Sequence, residues 1–462
     1  MRVGYGRVEF AVPDGTPMGG YLDRSGPSTG RLDPLQVGAI TWFDGERRFA
    51  LATADVVCVN EDLGRRARQL TKCELWLAAS HTHAGPETGC VPGGGPTPEP
   101  WLDRIAEATR AAVRQAIDNE QPCAGMVHHG ELRGVGADRS RPSAEAVVPL
   151  DLVAVRTDGP AVRPTGLAAR AGEPGVRAGE PAVRTDGLAG VLVVLPVHPT
   201  VLPAANRQTS ADLVGAVRRS LRERLGGDVW VVVATGAAGD ISTRHTRRGQ
   251  DTAELDRLGG VVADRCAELL TEPATRGWSA GSRISSAERR LTLRPASVAA
   301  DPAALTADYE AALAAGDPVA TRLARSRLEG VRARSGLAGG RAHSGQEDER
   351  WTESGRARNG PDGMTAPNAP PAPIGVTVHT TRLGGLAMVG LPGEPFLAVA
   401  ESLRAPDHRE PVVVLGYVNG YPGYLPTIDA YRRTEYEVLA SPVAPGSAEL
   451  LAETARHLLE GS

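Results

Sequence analysis

The chain has 462 residues, with 51 Lys and Arg against 55 Asp and Glu, a formal net charge of −4, and Lys72 as its only lysine. That balance leaves no long basic face and argues against a nucleic-acid partner. No run of about 18 apolar residues occurs, which argues against a transmembrane segment. Cys58, Cys73, Cys90, Cys123 and Cys266 are odd in number and scattered without a CxxC, so they read as reduced thiols of a cytoplasmic protein and not as a disulfide framework.

The opening "MRVGYGRVEFAVPDG" alternates apolar and polar residues like a first strand and lacks the apolar core of a secretory signal. Next, "LAASHTHAG" ends an apolar run at His81 and His83 with Gly and Pro directly behind. In an extended strand these two imidazoles would leave the same face. "PLDLVAVRT" and "LAGVLVVLPVHPT" read as the two arms of a hairpin. Between them, at about 156–190, lies a Gly/Pro/Arg-rich stretch with near-copies of "AVRTDG" and "RAGEP", predicted to be a disordered insertion.

"SADLVGAVRRSLRERLGG" carries helical spacing closed by a Gly pair, and "DVWVVVATGAAGDIS" is a buried strand running into a Gly-rich turn. "AELDRLGGVVADRCAELL" and the Ala-rich 301–333 read as helices, and a second polar insertion at about 335–373 is predicted to be disordered. "VTVHTTRLGGLAMVGLPGEPF" gives two strands around a Gly-Gly turn, and "SAELLAETARHLLEG" a final amphipathic helix. No regular βαβ alternation runs through the chain. The expected architecture is therefore a layered α/β domain with mixed β-sheets flanked by helices, one domain over 1–462 interrupted by the two insertions.

Chemistry concentrates at the ends of apolar strands. Zinc sites use neutral imidazoles, and His81 with His83 offers a His-x-His pair, although hydrogen-bonded histidines near a turn would give the same spacing. His198 ends a second apolar strand before Pro and Thr, the place where α/β enzymes set functional groups. Glu394, between Gly and Pro at a third strand end, offers the acidic ligand. Five of the eight tyrosines, Tyr417, Tyr421, Tyr424, Tyr431 and Tyr436, fall within one short stretch. Packing accounts for Tyr417 and Tyr431; a phenol there can also donate to a developing oxyanion or ligate a metal. Ser242, in the turn after Asp240, lacks a G-x-S-x-G setting and reads as a turn or substrate-binding residue.

Taken in order, "SHTHAGPETG", "VHPTVLP" with "SADLVG", "GDIS", "LPGEPF" and "YPGYLPTIDAYRRTEYE" resemble segments of the neutral (non-lysosomal) ceramidase family, among them its "THTHSGPGG" and "GDVSPN". That family consists of zinc amidohydrolases that cleave the N-acyl bond of ceramide, and the resemblance spans the catalytic domain to about residue 440. It implies His81, His198, Glu394 and Tyr424 as ligands of Zn2+ and Tyr436 as the oxyanion donor. It also implies His83 as a proton-handling neighbour, with Arg139 and Ser242 holding the substrate. "GDIS" followed by Thr-Arg, "VLPAAN" and "GEPF" depart from the family pattern around the substrate. The family's secretion signal and C-terminal immunoglobulin-like domain have no counterpart in the sequence.

The expectation is thus a cytoplasmic zinc-dependent hydrolase that opens an N-acyl amide of a small acylated molecule other than ceramide. High Arg, Ala and Gly with a single Lys suit a GC-rich bacterial genome. Two alternatives use the same residues: an acyl-transferring or cyclising enzyme, and a non-catalytic binding protein derived from the family.

Overall fold

A computed structural model describes residues 1–461 except 22–23, 142–145, 158–186, 275, 297–301, 318–319, 322–323, 326, 329–372, 405–409 and 434. The expected disorder at 156–190 and 335–373 falls almost wholly outside the described residues.

Nine strands form one mixed sheet: β1 (Arg2–Phe10), β2 (Leu35–Phe43), β3 (Arg48–Ala54), β4 (Glu74–Ala79), β5 (Gln121–Arg133), β6 (Val147–Thr157), β7 (Leu188–Leu195), β8 (Trp230–Thr235) and β9 (Arg276–Trp278). Their order is β8-β7-β6-β5-β1-β2-β3-β4, with β9 against β5. The junction of β1 with β5 is only two residue pairs long, Arg2 with Pro122 and Val3 with Gln121. The sheet folds over at that point, and its two halves pack face to face. Trp42, Leu51 and Trp76 of one half share a core with Val153, Leu192 and Val232 of the other.

Helices cover both outer faces. α1 (Glu61–Thr71) and α2 (Trp101–Asp118) put Leu63, Ile105 and Val113 against Ala39, Ala50 and Leu77. α3 (Asp212–Leu225) and α4 (Thr252–Leu269) put Val217, Leu221 and Leu258 against Leu152, Val191 and Val193. In β6, Leu152 and Ala154 face these helices while Val153 and Val155 face the opposite half-sheet. Both faces of the central strands are buried, so runs such as "VLVVL" are continuously apolar instead of alternating. α3 stops at Gly226, whose φ of 83° is the left-handed conformation that glycine adopts without steric cost.

The remaining elements build a second sheet: β10 (Ile284–Leu293), β11 (Ile374–Leu383), β12 (Leu386–Gly390) and β13 (Val412–Leu415). β11 and β12 form the hairpin expected around the Gly-Gly turn. α5 (Pro302–Ala314) precedes β11 in the chain, and α6 (Leu397–Leu403), α7 (Tyr436–Ala440) and the C-terminal α8 (Ser447–Glu460) complete the fold. Leu403, Val438 and Leu451, one from each of the last three helices, share a third core with Val378 and Val414. The layered α/β architecture with mixed sheets flanked by helices is the one the sequence predicts.

Three parallel pairs orient the site: β3 with β4, β7 with β8, and β12 with β13. Strand carboxyl ends are the habitual location of functional loops in α/β proteins. Here the chain leaves β4 toward His81, β7 toward His198, β8 toward Ser242, β12 toward Glu394 and β13 toward Tyr424.

One buried ion pair ties the two halves together. Arg218 on α3 donates to both oxygens of Asp55, at 3.0 and 2.7 Å, and Asp55 lies just beyond β3 and also accepts the Gln36 N–H. Both residues are buried, so removing one strands the other's charge. Arg218→Leu is expected to lower unfolding free energy by about 3–5 kcal/mol, measured from the shift in a chemical-denaturation midpoint.

Candidate active site

His81 and His83 do not share a face by strand alternation, because β4 ends at Ala79. Instead His81 takes a φ of 63°, a left-handed conformation costly for a residue with a Cβ. Tyr417 and Asn419 are left-handed as well. Tyr417 lies under the His81 ring with centroids 4.3 Å apart. Asn419 Oδ1 accepts the Leu77 N–H at 3.0 Å and its amide donates to the Leu75 carbonyl, pinning the strand that leads to His81. The strained backbone is therefore held by its neighbours.

The imidazole tautomers follow from hydrogen bonding. A carbonyl only accepts, so His81 Nδ1 donates to Val57 O at 2.6 Å and His198 Nδ1 donates to Ala238 O at 2.6 Å. In neutral rings this leaves both Nε2 atoms as acceptors. Burial, followed by the Arg139 charge, pulls His198 down to about 3, so its ring is neutral near pH 7.

Those lone pairs meet other lone pairs. His198 Nε2 is 2.9 Å and His81 Nε2 3.4 Å from Glu394 Oε2, and His83 Nε2 is 3.3 Å from His81 Nε2. Glu394 Oε1 is already satisfied by the Tyr421 hydroxyl, which donates at 2.5 Å. His83 Nδ1 and the Tyr417 hydroxyl are buried with no partner among the described residues. Such a convergence of neutral imidazole nitrogens on a carboxylate oxygen fits a cation. The ring nitrogens of His81, His83 and His198 also lie close enough together to hold a metal ion.

Glu394 and Tyr424 are paired across a short parallel bridge. The Tyr424 ring stacks on His198 at 6.4 Å, with Tyr436 edge-on to it at 5.9 Å. Arg139 donates to His198 Nε2 at 2.6 Å, lies 3.4 Å from the Tyr424 hydroxyl and pairs with Glu437 at 3.0 Å. Ser242 sits one bridge from His198, where its hydroxyl accepts the Arg244 N–H at 3.3 Å as the cap of a short helical turn. His81, His83, Glu394, Tyr424 and Tyr436 thus line one cavity, whereas Arg139 and Ser242 lie behind it on the His198 side.

Two glycines make room. A Cβ on Gly20 would fall 2.5 Å from the His83 ring, and one on Gly239 would fall 2.4 Å from the Glu394 carbonyl. The sequence reading missed Tyr421 and Glu437 as partners of Glu394 and Arg139; their only signal was membership of the tyrosine-rich stretch. Burial raises Asp240 to about 7, and its carboxylate accepts the Leu397 N–H at 2.8 Å, bracing the turn before Ser242.

No protein-family model and no curated protein matches this chain. Solved structures are similar to it, among them two ceramidases. One is the neutral ceramidase from Pseudomonas aeruginosa, at 17% identity and a TM-score of 0.69, with 99% of this chain and 73% of that chain covered. The other is described as a ceramidase complexed with C2, at 16% identity and a TM-score of 0.69, with 99% and 74% covered. The chain has the neutral-ceramidase fold. No helix among the described residues is long and apolar enough to cross a membrane.

Tyr421→Phe frees Glu394 Oε1, and the affinity of the site for a divalent metal ion in a competitive chelator titration is expected to fall about 10- to 100-fold. A second expectation concerns pH. Free histidine titrates near 6.5, so below that value the unfolded chain takes up a proton that His198 in the ion-free fold refuses. The ion-free protein should therefore lose stability relative to His198→Gln as pH falls from about 6.5 toward 3, read as diverging denaturation midpoints.

Proposed function

We propose that the protein is a zinc-dependent hydrolase that cleaves an N-acyl amide bond in a small acylated molecule other than ceramide. The observation that carries this reading is the meeting of His81 and His198 Nε2 lone pairs at Glu394 Oε2, beside a cavity lined by Tyr424 and Tyr436. In this reading His81, His198, Glu394 and Tyr424 hold the ion. When bound, zinc supplies a Lewis acid and a water whose pKa is lowered to roughly 7.

The remaining steps belong to the chain's own side chains. The Tyr436 hydroxyl donates to the oxyanion that develops at the amide carbonyl, a contact of the kind typically worth about 2.7–4 kcal/mol in the barrier. Burial, with the neighbouring imidazoles, holds His83 well below the usual imidazole range, so it meets substrate neutral and able to accept a proton. That proton is the one given up by the attacking water, and His83 passes it to the leaving amine nitrogen as the C–N bond breaks. Arg139, braced by Glu437, keeps the His198 and Tyr424 side in register, and Ser242 supports the same wall. The five cysteines are all free thiols, which supports a reducing, cytoplasmic setting.

The test is a panel of N-acyl amides incubated with zinc-loaded protein. His81→Ala and His198→Ala are expected to abolish zinc retention and turnover together, and Tyr436→Phe to lower kcat roughly 10²- to 10³-fold with zinc content intact. Ser242→Ala keeps zinc and retains turnover, which separates this route from a serine nucleophile. A purified protein that retains no zinc, or a zinc-loaded one that opens no amide, overturns the reading.

A further inference from the structure

The cavity in front of the candidate ligands is small and unusually furnished. Its volume is about 110 Å³, and its walls include Tyr21, Tyr421, Tyr424, Tyr436 and Glu87. Half of the chain's eight tyrosines therefore meet at one opening. Pockets for drug-sized ligands run to roughly 300–1,000 Å³, so this one suits a short chain and not a two-chained lipid.

Glu87 is the distinctive wall residue. Its Oε1 accepts two backbone N–H groups, from Gly89 at 2.7 Å and Cys90 at 2.8 Å, which fixes the carboxylate's direction. Its Oε2 takes no hydrogen bond from any described residue, and it lies beside Gly19, where a Cβ would come within 3.2 Å of it. A glycine at 19 leaves that oxygen open.

The neighbouring cations are already committed elsewhere. Arg139 is paired with Glu437 and does not line the cavity. Arg24 donates to the carbonyls of His83 and Asn206, with its guanidinium carbon 5.2 Å from the centre of the Tyr21 ring. An oriented carboxylate among tyrosine rings is the combination by which proteins recognise ammonium groups, through charge-assisted hydrogen bonds and cation–π attraction.

Arg24 and Arg139 already lie over the Tyr21 and Tyr424 rings. We propose that this cavity selects a short amide bearing a protonated amine, with Glu87 Oε2 and the Tyr421 and Tyr436 rings as the ammonium site. The proposal rests on the amide-hydrolase reading above and adds the substrate class to it. Glu87 acts on affinity and selectivity, with no part in the bond-breaking step.

The experiment compares two near-isosteric probes on the zinc-loaded protein, N-acetyl-1,4-diaminobutane and N-pentylacetamide, which differ by an ammonium in place of a methyl. Calorimetric titration reads binding, and product formation reads turnover. The amine-bearing probe is expected to bind at least tenfold more tightly, and Glu87→Gln, which keeps an acceptor for the Gly89 and Cys90 N–H groups, to bring the two affinities within about twofold of each other. Equal binding of both probes to the native protein overturns the ammonium site, even if both are hydrolysed. A preference that persists in Glu87→Gln overturns the role of Glu87. Selective binding with no turnover of any amide removes the hydrolase reading and leaves the ammonium site standing.

Discussion

The centre of this structure is a contact that is unfavourable by itself. The His81 and His198 rings each turn Nδ1 to a backbone carbonyl and Nε2 to the same carboxylate oxygen, so that neutral imidazoles there would set nitrogen lone pairs against it. In a buried site of low dielectric such a meeting of lone pairs is costly unless a positive charge compensates. Arg139 supplies part of that charge through its bond to His198 Nε2. The rest of the donor set is what a cation would complete, and the surrounding scaffold is arranged to keep it from relaxing apart.

That scaffold works by anchoring backbone, not by adding side-chain contacts to the rings alone. Val57 and Ala238, the two carbonyls that fix the tautomers, lie on segments leaving β3 and β8, and each is set by the register of a parallel strand pair. The left-handed residues His81 and Tyr417 pack ring on ring while left-handed Asn419 clamps β4, so the segment that bears Tyr421 and Tyr424 braces the strained backbone at His81. Gly239 lets the Ala238 turn lie directly against the Glu394 backbone. A shift of any of these three strand ends would misplace a donor in the site.

Much of this was legible in sequence, for definite reasons. Strands that end abruptly in His-Thr-His, His-Pro or Gly-Glu-Pro announce themselves, because apolar runs and Gly/Pro breaks are local signals. The helices over 212–225, 252–269 and 447–460 were readable from period and caps alike. The folding of the sheet onto itself was not, since the junction that permits it is two residue pairs long and carries no periodic pattern. Nor could spacing reveal that His81 turns left-handed, that Tyr421 orients Glu394, or that Ser242 spends its hydroxyl on a helix cap. The first is a single backbone torsion, the second a partner 27 residues away in sequence, and the third a local bond to the Arg244 N–H that no periodic pattern marks.

The two sides of the cavity are built by different means, and this bears on how such a site acquires its substrate. The side bearing His81, His198 and Glu394 comes from three strand ends locked by register, where a single slip would displace several of these side chains at once. The opposite side comes from the loop carrying Glu87 and Cys90 and from the tyrosine-bearing segment at 421–436. Glu87 holds its place through local bonds from Gly89 and Cys90 and through its own N–H to the Pro17 carbonyl, outside both sheets. A residue fixed by loop contacts can change without disturbing His81, His198 or Glu394, so under the proposed reading the chemistry and the selectivity of such a site can vary separately.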